Sequence, residues 1–292
     1  MPEGPECRII GWRLGKYCHS QRILKVNIYN GRYIKPRELA LSNIEAFNQH
    51  LENTGPTDVV RCGSKGKLIF IEFGNGWAML STMGLSGSWT TSHGTHCGVS
   101  LSLQDPSGKT KSIWFQDQLH YGTVKFVSKA DLTTKLESLG PDVLDPEACT
   151  TEWWLQLCKR KGKWTLPKLL MDQSLIAGVG NYLKAEALYS ARVSPTVPIC
   201  QFSKAELLEV RTAALDVSYR CFAWKAYQAH IPGHEVKPPR FVLSVYNKGL
   251  DPQRRKVVRL KTTDGRVTHW VPEVQTLPGP QLPSPPAPAS DV

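Results

Sequence analysis

The sequence predicts an α+β fold, with a β-rich first half and a helical second half. Between positions 22 and 128, apolar residues occur mostly in short runs rich in β-branched and aromatic side chains, as in strands. Between 131 and 225 they recur with the spacing of one helix face. A chain that carries its strands first and its helices afterwards is typical of α+β architecture. Hydrophobic residues make up 41% of the 292 residues, which is enough to build sizeable cores.

The first half opens with a helix and continues as a sheet. Residues 6–16 place several apolar side chains on one side of a helix, and residues 38–52 predict a second helix. The sequence Gly74-Asn75-Gly76 lies between two apolar runs and predicts a hairpin turn. The clearest predicted strands of this half are 67–73, 77–80, 99–103, 112–115 and 123–127.

The second half is helical until strands return near its end. Two short apolar helices, one ending at Met171 and one beginning at Tyr182, flank a turn at 178–181 with the sequence Gly-Val-Gly-Asn. Residues 241–247 and 256–274 have strand character. The other predicted helices of this half are 131–138, 151–159 and 203–225.

Composition narrows the expected partners and compartments. The net charge of +11 suits a polyanionic partner, of which DNA and RNA are the commonest. The chain has no run of 18 apolar residues and no signal-peptide core, so we expect neither a membrane span nor secretion. The eight cysteines form no C-x-x-C pair and none follows Cys221, which argues against a zinc ribbon and favours a reducing, intracellular compartment. The run His-Gly-Thr-His-Cys at 93–97 contains metal-ligand side chains, but its Gly/Ser/Thr-rich surroundings favour an ordinary loop.

Pro2 and Glu3 form a candidate catalytic pair. Removal of Met1 would expose the secondary amine of Pro2, which can attack an aldehyde carbon and form an iminium ion. An α-amino group has a pKa of about 8, so a usable fraction is free nucleophile at neutral pH. Glu3 beside it can donate or accept a proton. The alternative is a rigid, acidic start to the first helix, and retention of Met1 would block the amine.

Three further segments carry groups suited to phosphate. Lys67 stands at the head of an apolar strand and can direct its ammonium at a phosphate or a developing charge. The turn containing Gly180 and Asn181 predicts free backbone N–H groups at a helix N-terminus, an arrangement that binds phosphate. Asp264-Gly265 predicts a hairpin turn that presents Arg266 for a bidentate phosphate contact. For each segment a plain alternative exists: a solvated lysine, an ordinary helix connection and a solvated arginine.

In their order along the chain, these segments resemble the formamidopyrimidine and endonuclease VIII family of DNA glycosylases. The resemblance covers about residues 2–275. It implies an N-terminal helix plus β-sandwich domain, then a helical domain with a helix–two-turn–helix motif and a β-hairpin finger, with DNA running across the cleft between them. The matching segments are Met-Pro-Glu-Gly-Pro-Glu at 1–6, Lys67, Leu-Gly-Pro-Asp at 139–142, Leu-Met-Asp-Gln at 170–173, Gly-Val-Gly-Asn at 178–181 and the arginine hairpin.

The resemblance also implies a branch of the family and a division into domains. Most members hold zinc in the finger through four cysteines, and this chain has none there. It is therefore similar to the zincless-finger, endonuclease VIII-like branch of eukaryotes and giant viruses, and no metal or other cofactor is expected. The implied domains are an N-terminal catalytic β-sandwich at 1–133, a linker at 134–150, a helical domain at 151–240, a zincless finger at 241–275 and a disordered proline-rich tail at 276–292.

The family mechanism assigns roles to the catalytic candidates. By resemblance, the Pro2 amine attacks C1′ of a nucleotide that has been flipped out of the duplex. Glu3 assists opening of the sugar ring and proton transfer, and β- and δ-elimination then cut the strand. Lys67 matches a residue of the catalytic centre that also grips phosphate.

Binding roles follow in the same way. Asn181 and Arg266 match the family's phosphate-gripping residues, Gly180 belongs to the same turn, and Glu6 matches a glutamate near the lesion pocket. Three other positions match the side chains that fill the hole left by the flipped nucleotide. These are Leu85, Leu119 and Tyr121.

The expected function is removal of oxidised pyrimidines, hydantoins and formamidopyrimidines from damaged double-stranded DNA by a monomeric enzyme. Single-stranded DNA is left open as a substrate, and the expected location is a DNA-containing compartment, the nucleus in a eukaryote. Leu119 replaces an arginine of the family and cannot donate a hydrogen bond, so weak discrimination of the opposite base is expected. The alternatives are a catalytically inactive damaged-DNA-binding protein of the same fold, a glycosylase that prefers 8-oxoguanine, and an RNA-binding or ribosomal protein.

Overall fold

The computed structural model describes residues 2–29 and 41–276 of the chain. Within these ranges the predicted α+β class is confirmed: a helix and a nine-stranded sheet precede a group of helices and a two-stranded hairpin. The proline-rich tail from residue 277 onwards lies outside the described residues, as does the beginning of the helix predicted at 38–52.

Helix α1 (Gly4–Cys18) begins two residues before the predicted start, because its first turn is capped. Pro5 occupies the first turn, where a missing N–H costs nothing, and the Glu3 N–H donates to the Glu6 carboxylate at 2.9 Å. One face of the helix buries Ile10 in the sheet core. The chain start is thereby fixed against the rest of the molecule.

The sheet contains nine strands in the order β2-β9-β5-β4-β3-β1-β7-β8-β6, antiparallel except for the pair β2–β9. Helix α2 (Ile44–Thr54) lies between β2 and β3 in sequence and buries Phe47 and Leu51 in the same core. The strands are β1 Arg22–Ile28, β2 Leu41–Ser42, β3 Thr57–Lys65, β4 Leu68–Phe73, β5 Trp77–Thr82, β6 Ser88–Thr90, β7 Cys97–Gln104, β8 Thr110–Gln116 and β9 Thr123–Ser128.

The two halves of this sheet face one shared core, which gives the expected sandwich. Trp89 of β6, at one end of the strand order, donates its indole N–H to Ser81 of β5 at 3.1 Å. Strands β1, β4, β7, β8 and β9 each contribute buried side chains to one hydrophobic cluster. The hairpin predicted at Gly74-Asn75-Gly76 joins β4 to β5. Residues 93–96 lie in the connection that leads into β7, and Cys97 is the first residue of that strand.

The helical half has its own core, built around the fully buried Trp154 and side chains of the other helices. Ser203 accepts a hydrogen bond from the Glu206 N–H, which starts the long last helix at the next residue. The helices are α3 Lys129–Glu137, α4 Thr151–Arg160, α5 Leu166–Met171, α6 Asn181–Ser190 and α7 Lys204–Gln228. Helix α3 crosses position 133, where the sequence predicted a domain boundary.

The strand predicted at 241–247 is wrong. The backbone N–H groups of Ser244, Val245 and Tyr246 all donate to the carboxylate of Glu186 in α6, at 2.8–2.9 Å. A buried carboxylate has thus taken the donors that a sheet partner would need, and the apolar side chains of the segment pack on the helices instead.

The second predicted run does form strands: β10 (Val258–Lys261) and β11 (Val267–Trp270) pair antiparallel as a hairpin. Its turn lies at the predicted Asp264-Gly265, with Gly265 at a φ of 78°. Among the residues that the structure describes, no helix combines the length and apolarity needed to cross a membrane. Over the same residues, no group of three His, Cys, Asp or Glu side chains is placed to hold a metal ion.

Candidate active site

A cavity of about 330 Å³ brings together the start of the chain, the β3–β4 turn and the α5–α6 connection. Pro2, Lys67 and Gln173 line it from these three segments, and Thr82 and Met83 complete one wall from the end of β5. Two residues predicted to be catalytic, which are 65 positions apart in sequence, therefore face the same space.

The third, Glu3, lies directly behind this cavity and is fully buried. Its carboxylate accepts hydrogen bonds from the N–H groups of Gly180 at 2.8 Å, Tyr182 at 2.9 Å and Leu183 at 3.2 Å. The next residue, Gly4, donates its N–H to the Gly178 carbonyl at 2.9 Å. Four hydrogen bonds thus fix the chain start on the turn that precedes α6 and on the first turn of that helix.

This arrangement corrects the predicted phosphate site at the N-terminus of α6. The N–H groups of Gly180, Tyr182 and Leu183 are occupied by Glu3, so they are not free donors for an external phosphate. The small residues of the turn serve the same internal contact: a Cβ at position 180 would lie 2.2 Å from the Glu3 carboxyl carbon. The helix dipole stabilises a carboxylate of the protein itself.

Burial and mutual attraction act in opposite directions on the ionisation of Glu3 and Lys67. Burial raises the pKa of Glu3 to about 7, although Lys67 and the backbone hydrogen bonds oppose the shift. Burial lowers the pKa of Lys67 below its usual 10.5, and the charge of Glu3 opposes that shift. A carboxyl group with a pKa near 7 can both give and take a proton at physiological pH, as a general acid–base catalyst must.

Lys67 lies in the two-residue turn between β3 and β4 rather than at the head of a strand as predicted. Its ammonium donates to the Val179 carbonyl at 2.9 Å, and the Gln173 amide donates to the same oxygen at 2.9 Å. Asp142 holds the turn from beneath by accepting the N–H of Gly66 at 2.8 Å. The position of the Lys67 ammonium is therefore set by three separate segments.

Glu6 is engaged by the protein on both carboxylate oxygens. It accepts the N–H of Glu3 and two contacts from the Tyr182 hydroxyl at 2.9 and 3.0 Å, and it lies 3.3 Å from the Lys225 ammonium. These bonds order the chain start. A direct contact between Glu6 and a ligand stays a prediction.

Arg266 and Asn181 lie close together beside this centre. Arg266 follows the hairpin turn and is exposed, and its charge adds to the burial that lowers the pKa of both Lys67 and Lys184. The Asn181 amide donates to the Val267 carbonyl at 3.0 Å, which joins α6 to the hairpin. An exposed cation and an amide are thus placed together where α6 meets the hairpin.

Leu85, Leu119 and Tyr121 extend from two loops that the structure ties together. The Leu119 N–H donates to the Ser86 hydroxyl at 3.0 Å, and that hydroxyl donates to Asp117 at 2.8 Å. The three side chains are 39%, 51% and 60% exposed, which is unusual for residues this apolar. They form one projecting group near Gly84, a residue of the cavity wall.

The sequence reasoning missed several residues that build this site. The sequence indicates Asp142 only as part of a linker turn and Gln173 only as part of a motif, although both fix the position of Lys67. Lys184 and Asp264, which are 80 positions apart in sequence, form a buried ion pair at 2.6 Å. Nothing in the local pattern around either residue indicates the other.

Comparisons with known proteins identify the family of this chain. The model of the formamidopyrimidine-DNA glycosylase N-terminal domain matches residues 1–124, and that of the formamidopyrimidine-DNA glycosylase H2TH domain matches 139–226. A formamidopyrimidine-DNA glycosylase of an Exiguobacterium species is 27% identical over 94% of this chain and 99% of its own. Endonuclease 8 of Salmonella arizonae is 25% identical over 94% and 100%.

The fold is also that of a solved relative. Lactococcus lactis Fpg (MutM), in a complex with DNA containing an oxidised pyrimidine, superposes with a TM-score of 0.76 at 19% identity, over 94% of this chain and 99% of that one. The two family models together match most of the chain, from the Pro2–Glu3 start to the end of the long α7 helix. The chain belongs to the formamidopyrimidine-DNA glycosylase and endonuclease VIII family of DNA glycosylases.

Proposed function

We propose that this glycosylase is bifunctional: it removes oxidised bases from damaged DNA through a Schiff base at Pro2 and then cleaves the strand as an AP lyase. The observation that carries the proposal is the shared cavity of Pro2 and Lys67, with the buried carboxyl of Glu3 behind it. An amine nucleophile, a cation and a proton donor with a pKa of about 7 are the groups that this chemistry needs.

The proposed reaction begins when the free amine of Pro2 attacks C1′ of the flipped nucleotide. The C1′–O4′ bond opens as Glu3 delivers a proton to O4′, and the base then leaves with the proton that the Pro2 nitrogen loses as the iminium forms. The iminium makes the C2′ protons acidic, so loss of one expels the 3′ phosphate by β-elimination. A second elimination expels the 5′ phosphate, and water releases the sugar remnant from Pro2.

The proposed DNA surface consists of the groups around the cavity mouth. Lys67, Asn181 and Arg266 supply cationic and amide donors for phosphates on either side of the flipped nucleotide. Leu85, Leu119 and Tyr121 are exposed apolar side chains, which would fill the space that the nucleotide leaves in the stack. The amide of Gly180 has no part in this surface because Glu3 occupies it.

The substrate proposal is that oxidised pyrimidines and hydantoins are preferred, as in the zincless, endonuclease VIII-like branch. Leu119 offers no hydrogen bond to the base opposite the lesion, and the segment between α7 and the hairpin begins with a short, Pro- and His-rich stretch. We expect single-turnover excision of thymine glycol, oxidised uracils and hydantoins to be faster than that of 8-oxoguanine opposite cytosine. The measurement is a set of parallel rates on duplexes of one sequence.

An abasic-site duplex serves as the positive control, because its cleavage shows that the protein is active whatever its lesion preference. An undamaged duplex serves as the negative control. Faster excision of 8-oxoguanine opposite cytosine than of thymine glycol would refute the preference. Binding to every lesion without cleavage of any duplex would instead favour the inactive, damage-binding alternative.

Replacement of Arg266 by alanine tests the phosphate contact. An exposed arginine that neutralises one phosphate releases one counterion, so Arg266→Ala should weaken binding and reduce the slope of log affinity against log salt by about one unit. Arg220→Ala is the matched control, because Arg220 is an exposed arginine of α7 that pairs with Asp216 at 2.8 Å. An Arg266→Ala slope equal to that of the wild type would place Arg266 away from DNA.

A further inference from the structure

The ion pair between Lys184 and Asp264 is the most buried pair of charges in the part of the chain described here. The Lys184 ammonium lies 2.6 Å from an Asp264 carboxylate oxygen, and the two side chains are 0% and 3% exposed. Lys184 lies on α6, one turn beyond Asn181, and Asp264 lies in the turn of the β10–β11 hairpin. The pair therefore joins the helix that carries Glu3's hydrogen-bond donors to the hairpin that carries Arg266.

The hairpin turn meets the helical half at two further points. The hydroxyl of Thr263 lies 2.5 Å from that of Thr165, the residue before α5, and the Val267 carbonyl accepts the Asn181 amide at 3.0 Å. Arg266 lies between Asp264 and Val267 in sequence. The residues on both sides of this arginine are thus attached to α6 while its own side chain stays exposed.

Stability alone does not explain such a pair. Removing two charges from water costs several kcal/mol per ion, and well-packed apolar residues in their place are often as stable or more so. Apolar contacts, however, are non-directional, whereas a lysine–carboxylate bond fixes where the two backbones stand relative to each other. A buried ion pair at this place selects one position of the turn over others that would bury the same area.

We propose that Lys184 and Asp264 are positioning residues that fix the hairpin turn on α6 so that Arg266 is held beside Asn181 at the start of that helix. The inference rests on the proposed function, since it gives Arg266 its role through a phosphate contact. Arg266 itself does not depend on burial for its position, because its side chain is exposed. The Lys184–Asp264 pair therefore fixes the position of the backbone that carries Arg266, which burial of the arginine does not fix.

The test is a double-mutant cycle between Lys184→Met and Arg266→Ala. The probe is a duplex with an uncleavable abasic-site analogue, and the affinity is measured across a series of salt concentrations. We expect Lys184→Met to lower the salt slope by about one unit, as Arg266→Ala does, and the double variant to show no further loss. Asp264→Asn, which keeps the side-chain shape, should reproduce Lys184→Met.

Trp154→Phe is the matched control for destabilisation. Trp154 is fully buried in the helical core and donates its indole N–H to the Leu207 carbonyl at 2.7 Å, far in sequence from the hairpin. This variant should unfold at a lower temperature but keep the wild-type salt slope, and its effect on affinity should multiply with that of Arg266→Ala. Hydrogen exchange in the free protein adds a readout without DNA: amides of residues 262–267 should exchange faster in Lys184→Met than in Trp154→Phe.

Any one of the following results would overturn the inference. If Arg266→Ala lowers the slope while Lys184→Met leaves it unchanged, or if their effects multiply, the pair does not act through Arg266 and the proposed DNA contact survives. If Arg266→Ala itself has no effect on the slope, the phosphate contact and the positioning role fall together. Unchanged exchange at 262–267 in Lys184→Met would show that the pair does not hold the turn.

Discussion

An extension of the chain ahead of Pro2 should abolish the covalent adduct that borohydride traps between this protein and an abasic-site duplex. A peptide bond on the Pro2 nitrogen removes its lone pair from nucleophilic use, so no iminium can form for the reagent to reduce. We expect complete loss of the trapped band, with DNA binding retained. The measurement is gel separation of the adduct after borohydride treatment.

A protease-removable extension provides the control within one preparation. The adduct should be missing before cleavage and appear once cleavage exposes Pro2. A tag placed after Val292 should leave trapping intact, because it does not alter the chain start. The same protein should bind an uncleavable abasic-site duplex equally well before and after removal of the extension.

Two lysines, Lys67 and the exposed Lys135, line the same cavity as Pro2, and the experiment separates the partly buried Lys67 from Pro2 as the nucleophile. Lys67 faces the same cavity, and burial lowers its pKa, as it would for a Schiff-base lysine. Trapping that persists with Pro2 blocked and disappears in Lys67→Met would make Lys67 the nucleophile. Trapping that follows exposure of Pro2 leaves Lys67 as the cation that holds phosphate and lowers the cost of ionising Glu3.

Elements with a strong local pattern were predictable from the sequence, and the sandwich strands show why. The run at 67–73 is apolar and β-branched, ends at a Gly-Asn-Gly turn and is followed by a second apolar run. Each of these features is local, and together they fix a hairpin whatever else the chain does. The observed strands β4 and β5 differ from the prediction by one or two residues at their ends.

The segment at 241–247 has an equally good strand pattern and is not a strand. What decides its conformation is Glu186, a carboxylate some 60 positions earlier that takes three successive N–H groups. A helical glutamate normally points to solvent, so neither its burial nor its partners can be inferred from the helix that carries it. The competing interaction is long-range and polar, so it cannot be predicted from the hydrophobic periodicity of the segment.

The turn at 178–181 shows the same limit at the site itself. Its glycines correctly indicated a close approach of backbone to a negative group at a helix N-terminus. The pattern could not say whether that group belongs to DNA or to the protein, and the structure gives the position to Glu3. The resemblance named Glu3 as catalytic, but the burial that raises its pKa follows only from the folded chain.

Replacement of Glu3 by glutamine should separate the two proposed reactions. In the proposed mechanism Glu3 protonates O4′ while the base is expelled. An abasic site has already lost its base, so it does not need this step. Loss of a general acid lowers a rate on the order of 10²–10⁴-fold, so Glu3→Gln should lose base excision by that amount and keep most of its abasic-site cleavage. The measurement is single-turnover rates on a lesion duplex and an abasic duplex of the same sequence.

The rate on the abasic duplex is also the control for folding. The two carboxylate oxygens of Glu3 accept three backbone N–H groups, whereas a glutamine side chain has only one acceptor oxygen. A misplaced N-terminus would move Pro2 and lower both rates together, and equal loss of both would show that Glu3 is structural or serves the lyase step as well. Glu186→Gln is a useful comparison, since it removes a buried carboxylate that also holds three backbone donors but lies away from the cavity. Its two rates should change in parallel.

The pH dependence gives the same test a second arm. Burial raises the pKa of Glu3 from 4.5 to about 7, so the protonated form is present up to neutral pH and is lost above it. The reactive, unprotonated form of the Pro2 amine instead becomes more abundant as pH rises. This change affects the rates of excision and of abasic-site cleavage alike. The ratio of the two rates therefore isolates Glu3: in the wild type it should fall about tenfold for each pH unit above about 7. In Glu3→Gln the ratio should be low and flat across the same range, and a wild-type ratio that stays constant to pH 9 would remove Glu3 as the proton donor.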